Sequence, residues 1–402
     1  EITTRLVGSE MCIRDRVYIV DCMMSPRGGK LGYNYFLKKE LDNLGVTNIH
    51  YIHRETSINQ NVNSRIHSLK QDRIKNFLII LKSVYRKFLT LYGFNHKALV
   101  DLNAYDTVHF HSTLDMYNVR DSLKGYKGAV VLTSHTPTIQ SKEMYDALTS
   151  WEKKHMNWLY KNLIKIDEYA FRRADYIVFP CPEAEEPYYN NWPEYKAVKE
   201  EKKGKYLYLL TGTKARVAKL SKTEVRQLYS IPDDAFIICY VGRHNEIKGY
   251  DKLKLLGEQI LQEAPNIYFL IAGREEPLHG LHHPRWIEVG WTSDPHSLIN
   301  ASDVFMLPNK ETYFDLVMLE VLSLGKIIIA SYTGGNKYFK SSFAKGVFTY
   351  SKLEEAAQLI HNVYDMDFEL KNELERSNRL LFEQCFSLEI FAKNYIQLIN
   401  SI

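Results

Sequence analysis

The chain has 402 residues, 45% of them apolar and 25% charged, with a formal net charge of +4; this favours two or three globular domains and excludes disorder as the general state. Its five cysteines, Cys12, Cys22, Cys181, Cys239 and Cys385, are scattered and form no C-x-x-C pair, which suits a reducing compartment and excludes a disulfide scaffold or a sequence-local zinc site. Apolar runs such as 77–81 and 327–330 are far shorter than the roughly 18 residues needed to span a bilayer. An integral membrane protein is therefore not expected, and the cytosol is the default location.

Residues 1–16, EITTRLVGSEMCIRDR, lack an initiating Met, a clean apolar period and the apolar core of a signal peptide. The string resembles translated sequencing-adapter DNA; an ordinary disordered extension is the alternative. On either reading it is set aside from the fold, and the first native residue is expected near Val17. From there short β-branched runs, VYIVDC, NIHYIH, TVHFH, AVVLTSH and DYIVF, alternate with helical patterns that begin with LGYNYFLKKELDNLG. Such alternation predicts βαβ units and a mostly parallel sheet.

Within this half, residues 65–97 hold eight Lys or Arg against one acid, Asp72. Ile74, Phe77, Leu78, Leu81, Val84, Tyr85, Phe88, Leu91 and Tyr92 recur there at helical spacing, with Lys75, Lys82 and Arg86 on the opposite side. A basic amphipathic helix suits docking on an anionic membrane surface, here the inner face. An ordinary helix over the sheet with a solvated basic face fits equally, and both readings stand. Residues 182–205 carry the charged run EYKAVKEEKKGK and read as a solvated excursion of this half.

The rhythm restarts at Phe236 with FIICYVG, an amphipathic stretch over 250–263, NIYFLIAG, WIEVG, a helix ending near Asn300, VFMLP, a helix through Leu324, and KIIIAS. The expected organisation is an extension at 1–16, an N-terminal domain at 17–220 and a linker at 221–234. A second domain at 235–384 and a terminal helix region at 385–402 complete it. The fold class is α/β, with two doubly wound Rossmann-like domains.

Two constellations carry chemistry. In VGRHNEIKGYD, Gly242 ends a predicted strand and lets a ligand approach the backbone, while Arg243 and Lys248 supply two cations in the following loop. Together they make a pyrophosphate clamp. In ETYFDLVMLE, a loop holding Glu311 and Thr312 enters a helix that carries Glu320, followed by Gly334-Gly335. A carboxylate placed like Glu320 can accept hydrogen bonds from both hydroxyls of a ribose.

In order, GRHNEIKG, ASDVFMLPN, the Glu311 to Glu320 run and GKIIIASYTGG resemble the C-terminal half of family 4 glycosyltransferases of the GT-B fold (glycosyltransferase group 1). The first half is similar more weakly, through Arg27-Gly28-Gly29 before a helix, His111 and His135 closing strands, and RADYIV leading out. The resemblance implies two domains facing across a cleft, with the final helix crossing back to the first. It makes Arg243 and Lys248 the diphosphate contacts, Glu320 the ribose contact, Gly28 and Gly29 a backbone approach to donor or acceptor, and His135 a residue facing the donor sugar. It also implies retention of anomeric configuration, no metal and no cofactor, a nucleotide diphosphate hexose such as a UDP-sugar as donor, and a glycan or glycolipid acceptor in bacterial cell-surface polysaccharide synthesis. One departure stands out: the family spaces its glutamates eight apart, whereas Glu311 and Glu320 are nine apart and Thr312 occupies the expected place. Asp315 also stands where the family has glycine. Either Glu311 still reaches the sugar or Thr312 replaces it, and a catalytically silent GT-B subunit bound to a partner transferase is the alternative function.

Other patterns are weak. Asp365-Met366-Asp367 matches a D-x-D motif but lies in a helical stretch. His279, His282 and His283 cluster in a loop without cysteine, a poor zinc set. His109 and His111 alternate on a strand and are expected on opposite faces, away from a shared ion. The basic segment alone does not make a nucleic-acid site.

Overall fold

The computed structural model describes residues 17–20, 24–26, 29–52, 81–82, 84–89, 91–136, 139–146, 148–340 and 343–402. The chain divides into two compact units. The first comprises the chain to Val178 with Glu194–Leu207 and Gln397–Ile402; the second comprises Phe179–Pro193 and Tyr208–Ile396, so its continuous run begins before the 221–234 segment marked in the sequence.

The first unit is built on β1 (Val17–Val20), β2 (Ile49–Ile52), β3 (Thr107–Phe110), β4 (Ala129–Thr133), β5 (Tyr176–Phe179) and β6 (Tyr206–Tyr208), in the order β2-β1-β3-β4-β5-β6. The pairings β1/β2, β1/β3, β3/β4 and β4/β5 are all parallel. Every residue of β3 is buried, as both faces of a parallel sheet must be when helices cover them. Flanking helices include α1 (Gly29–Asn43), α2 (Thr113–Asn118) and α3 (Asn157–Arg173). The apolar residues of α3 recur at helical spacing, so Leu159, Leu163 and Ile166 bury together with Leu91, Leu114 and Met156. The direction of strand addition reverses between β1 and β3, and in open α/β sheets ligands bind at the carboxyl ends of strands beside such a switch.

The second unit has β7 (Phe236–Val241), β8 (Ile267–Ala272), β9 (Trp286–Gly290), β10 (Val304–Leu307), β11 (Ile327–Ser331) and β12 (Val347–Tyr350), ordered β12-β11-β10-β7-β8-β9. This parallel sheet has the Rossmann strand order, with its switch between β7 and β10. Its helices include α4 (Tyr250–Glu263), α5 (Pro295–Ala301), α6 (Leu316–Ser323), α7 (Leu353–Asp365) and α8 (Phe368–Cys385); α9 (Leu388–Asn400) begins in this unit, and its residues from Gln397 onward cluster with the first. Leu253, Leu256 and Ile260 of α4 pack against Ile238, Tyr240, Phe269 and Ile271 of the sheet. Two doubly wound Rossmann-like units thus make up the fold.

Residues 182–205 correct the sequence expectation of a solvated excursion. Two short helices, Glu186–Asn191 and Tyr195–Glu201, form there, and Tyr188, Trp192 and Tyr195 are among the largest fully buried side chains. The charges dominate the string, but the aromatics between them dominate the burial free energy. Residues 182–193 of this segment cluster with the second unit, as part of its Phe179–Pro193 stretch.

Candidate functional site

In the second unit the site grows from the two strands that flank the switch. Gly242, leaving β7, donates its N–H to the Ala272 carbonyl at 3.0 Å, and Asn245 Oδ1 accepts from the Lys248 N–H at 2.9 Å. Gly249 ends this loop with φ +68°, and a Cβ there would collide with the Pro308 carbonyl oxygen. Only glycine meets both demands, and its close seat on the exit of β10 brings Lys248 across the switch.

There Lys248 Nζ lies 2.5 Å from Asp315 Oδ2. The same oxygen accepts from Asn309 Nδ2 at 2.8 Å, and Asp315 caps α6 through the Val317 N–H. Burial would favour the neutral acid, but the Lys248 charge and these hydrogen bonds together hold the Asp315 carboxyl below its ordinary range. Arg243 is exposed, and its guanidinium has no partner among the described residues. Its carbonyl accepts from the Tyr240 hydroxyl at 2.9 Å.

Glu320, on α6, is not a solvated helix residue. Arg216 Nη2 donates to its Oε1 at 2.6 Å and His296 Nε2 stands 3.4 Å from its Oε2. Burial again opposes ionisation; His296 and Arg216 outweigh it and keep the carboxyl ionised. Sequence reasoning missed both partners, since Arg216 lies outside any motif and His296 reads as one polar position in a helix.

Glu311 accepts from Asn191 Nδ2 at 3.3 Å, whereas Thr312 is 4% exposed. Gly334 and Gly335 let the 312–314 loop lie against their backbone, since a Cβ on either would strike the carbonyl of Thr312 or Tyr313. The Gly334 N–H and Thr333 Oγ1 donate to Glu186 Oε1 at 3.4 and 3.3 Å, and Lys337 pairs with its other oxygen. Glu186 thus fills an anion-sized place at the diglycine turn. It lay hidden in the segment read as solvated.

In the first unit His135 and His111 converge beside the β1/β3 switch. His111 Nδ1 and His135 Nε2 are 2.7 Å apart, one donating to the other, and Tyr33 packs edge-on against His135 with centroids 4.7 Å apart. His109 bonds Thr133 Oγ1 at 2.7 Å. The His109 and His111 rings lie 4.3 Å apart, which corrects the expectation of opposite faces: residues two apart on a strand share a face. Burial lowers all three, His109 to about 3 and His111 and His135 well below the usual imidazole range, with neighbouring Lys30 contributing at His111 and His135.

Gly29, Lys30, His111, Ser134, His135 and Gln140 line a cavity of about 470 Å³. His111 Nε2 is buried without a hydrogen-bond partner among the described residues. Lys30 Nζ pairs with Asp115 at 3.2 Å. Asp167 braces the wall, accepting from the Thr113 hydroxyl at 2.5 Å and the Ser141 N–H at 2.8 Å, and burial raises its carboxyl to about 6. Gly28 lies outside the described residues.

Among the described residues no group of three or more His, Cys, Asp or Glu is placed to hold a metal ion. In the 279–283 loop only His279 approaches an acid, Glu275, at 3.5 Å. Asp365 ends α7 and Asp367 caps α8, which accounts for the D-x-D string.

Residues 221–380, all within the second unit, match the family model described as glycosyl transferases group 1. Among curated proteins the chain is 25% identical over 191 residues to the O-antigen biosynthesis glycosyltransferase WclY of Escherichia coli, covering 45% of this chain and 51% of WclY. The chain therefore spans about half the length of that curated relative. Similar solved structures include sucrose-phosphate synthase from Thermosynechococcus elongatus, with a TM-score of 0.61, 16% identity, and 96% and 99% of the two chains covered. Another is Anabaena Alr3699/HepE in complex with UDP, with a TM-score of 0.59, 12% identity, and 96% and 100% covered. At such identities these likenesses speak for the fold.

Proposed function

We propose that the protein is a retaining, metal-independent glycosyltransferase of family 4 that moves a hexose from a nucleotide diphosphate sugar to a hydroxyl of a glycan or glycolipid, in bacterial cell-surface polysaccharide synthesis. The observation that carries this reading is the placement of Lys248, with Arg243 in the same loop, at the β7/β10 switch, beside a helix bearing an ionised Glu320. The family match over 221–380 and the likeness to an O-antigen transferase support it.

In this reading the bond between the anomeric carbon and the diphosphate oxygen breaks, and negative charge grows on the departing diphosphate. Arg243 meets it with a free guanidinium, and Lys248, which spends one of its three donors on Asp315, offers the others. Asp315 positions Lys248. Glu320 keeps lone pairs for the ribose hydroxyls on oxygens already oriented by Arg216 and His296. His135, a neutral imidazole, hydrogen-bonds the sugar; the acceptor oxygen bonds the anomeric carbon on the face the diphosphate leaves, and its proton passes to the departing phosphate oxygen. Glu311, half-buried beside Asn191, is the residue assigned to the sugar, and buried Thr312 shapes the loop. Gly28, Gly29, Gly242, Gly334 and Gly335 serve as backbone approaches to the ligand. Exposed Tyr85, Tyr92 and Trp158 near basic Arg86 support peripheral attachment to an anionic membrane face.

The test is release of nucleotide diphosphate from a panel of nucleotide sugars by the purified chain, with the product anomer read by NMR. Transfer with retained configuration is expected. No release from any donor, with acceptor glycolipid extracts present, would replace this reading with the silent-subunit alternative.

A further inference from the structure

The second unit contains a cavity of about 560 Å³ at the carboxyl ends of β10, β11 and β12, within the range of small-molecule sites, roughly 300–1,000 Å³. Three polar atoms of its lining are buried without a hydrogen-bond partner among the described residues: the Tyr350 hydroxyl, Asn309 Oδ1 and Asp251 Oδ1. Tyr350 is 5% exposed and Asn309 2%. Native folds satisfy nearly all such groups, so three around one cavity mark a place that something else completes.

The chemistry of the lining selects the occupant. Lys252, Lys310 and Lys352 stand against Glu246, Asp251 and Glu354, so the wall has no net sign. The α7 N-terminus beside it is already capped, because Glu355 accepts from the Ser351 and Lys352 N–H groups at 2.7 and 3.2 Å. A phosphate would therefore find neither a free amide nest nor surplus positive charge. Two bare acceptors, a phenol that both donates and accepts, and flanking carboxylates and ammoniums suit a neutral ligand dense in hydroxyls.

We propose that this cavity is an accessory saccharide site that binds a neutral pyranose of a glycan, separate from the diphosphate clamp but wired to it. The wire is Asn309, whose Oδ1 faces the unmet demand while its Nδ2 donates to Asp315, the partner of Lys248. A sugar hydroxyl donating to Oδ1 fixes the amide that orients Asp315, so an engaged glycan steadies the clamp. The inference goes beyond the transfer reaction, and its readout is binding, which needs no turnover.

The experiment titrates the full chain, without nucleotide, with the methyl glycosides of glucose, galactose and mannose, following binding by NMR. Saturable binding of at least one, with Kd at or below about 10 mM, is expected. Tyr350→Phe and Asp251→Asn should each weaken it at least about fivefold. Without sugar, Tyr350→Phe should melt no lower than the wild type, because it deletes a hydroxyl that none of the described residues satisfies. The proposal is overturned by absence of binding across the panel, by unchanged affinity in both variants, or by a lower melting temperature for Tyr350→Phe. It is equally overturned if UDP-glucose, but no free glycoside, competes for the Tyr350 environment, since the cavity would then hold the donor's own sugar.

Discussion

Lys248 and Asp315, 67 residues apart in sequence, form a 2.5 Å ion pair across the switch between β7 and β10. The Lys248 cation is therefore neither loose nor fully available, and its anchor is the residue that departs from the glycine of the resembled family. Asp315→Asn keeps the α6 cap, since Asn caps as well as Asp, but removes the charge that aims Lys248. Turnover should fall about tenfold, with little change in melting temperature. Lys248→Ala and Arg243→Ala should each cost at least about 10²-fold in kcat, because each removes charge that acts as the diphosphate departs. Near-normal steady-state rates in both alanine variants would remove the clamp from the mechanism.

Glu320 makes a different prediction because its contacts exist before chemistry begins. In the proposed reading Glu320 holds the donor's ribose hydroxyls equally in ground and transition states, so Glu320→Gln should raise KM for the donor more than it lowers kcat. Glu320→Ala should in addition destabilise the second unit by about 1–3 kcal/mol, since Arg216 loses a partner in a part-buried setting. Chemical denaturation separates the two effects. Equal stability for the Gln and Ala variants would mean that the Arg216 pair contributes nothing.

The legible part of this site was the part written in contiguous residues. GRHNEIKG placed Gly242, Arg243 and Lys248 on one loop, and the alternation of apolar runs yielded both parallel sheets. The partners were not legible, because Asp315, Arg216, His296 and Glu186 reach their targets through the tertiary fold. The 182–205 string failed for a related reason: its Lys and Glu suggest solvent, while Tyr188, Trp192 and Tyr195 are each fully buried. His109 and His111 were misread through the wrong strand parity. Val84 and Leu91 of the basic segment join a core cluster, but Ile74, Phe77, Leu78 and Lys75 lie outside the described residues.

The three histidines of the first unit predict acid sensitivity. Their folded pKa values are lowered, His109 to about 3, against about 6.5 for an unfolded imidazole. Between those values the unfolded state binds more protons, so stability falls as pH drops below about 6.5. Asp167 runs the other way: raised to about 6, it favours the folded state as pH falls from 6 towards 4. Three groups against one leave a net loss on acidification. Urea midpoints measured from pH 7 to pH 5 should decrease, and His109→Asn should flatten the slope by up to about 1.4 kcal/mol per pH unit. A slope identical to the wild type would mean that His109 titrates normally in the fold.

Membrane attachment rests on the described end of the basic segment. Tyr85 is 61% exposed, Leu81, Leu89 and Tyr92 are also exposed, and Phe88 reaches exposed Trp158 with centroids 6.0 Å apart. Such a rim of tyrosine and tryptophan beside exposed Arg86 suits a headgroup layer, where amphipathic rings settle and a surface cation gains roughly 1 kcal/mol near anionic lipid. Lys87 is spent internally on Glu152 at 2.7 Å and should not count towards binding. The full chain should co-sediment with vesicles containing phosphatidylserine at low salt, release at high salt, and bind uncharged vesicles weakly. Lys82→Glu with Arg86→Glu should abolish sedimentation while leaving nucleotide-sugar hydrolysis intact, because neither residue lies near His135 or the clamp in sequence or in the described contacts. If the wild-type chain stays in the supernatant with anionic vesicles at low salt, the exposed rings serve another contact and the membrane assignment is withdrawn.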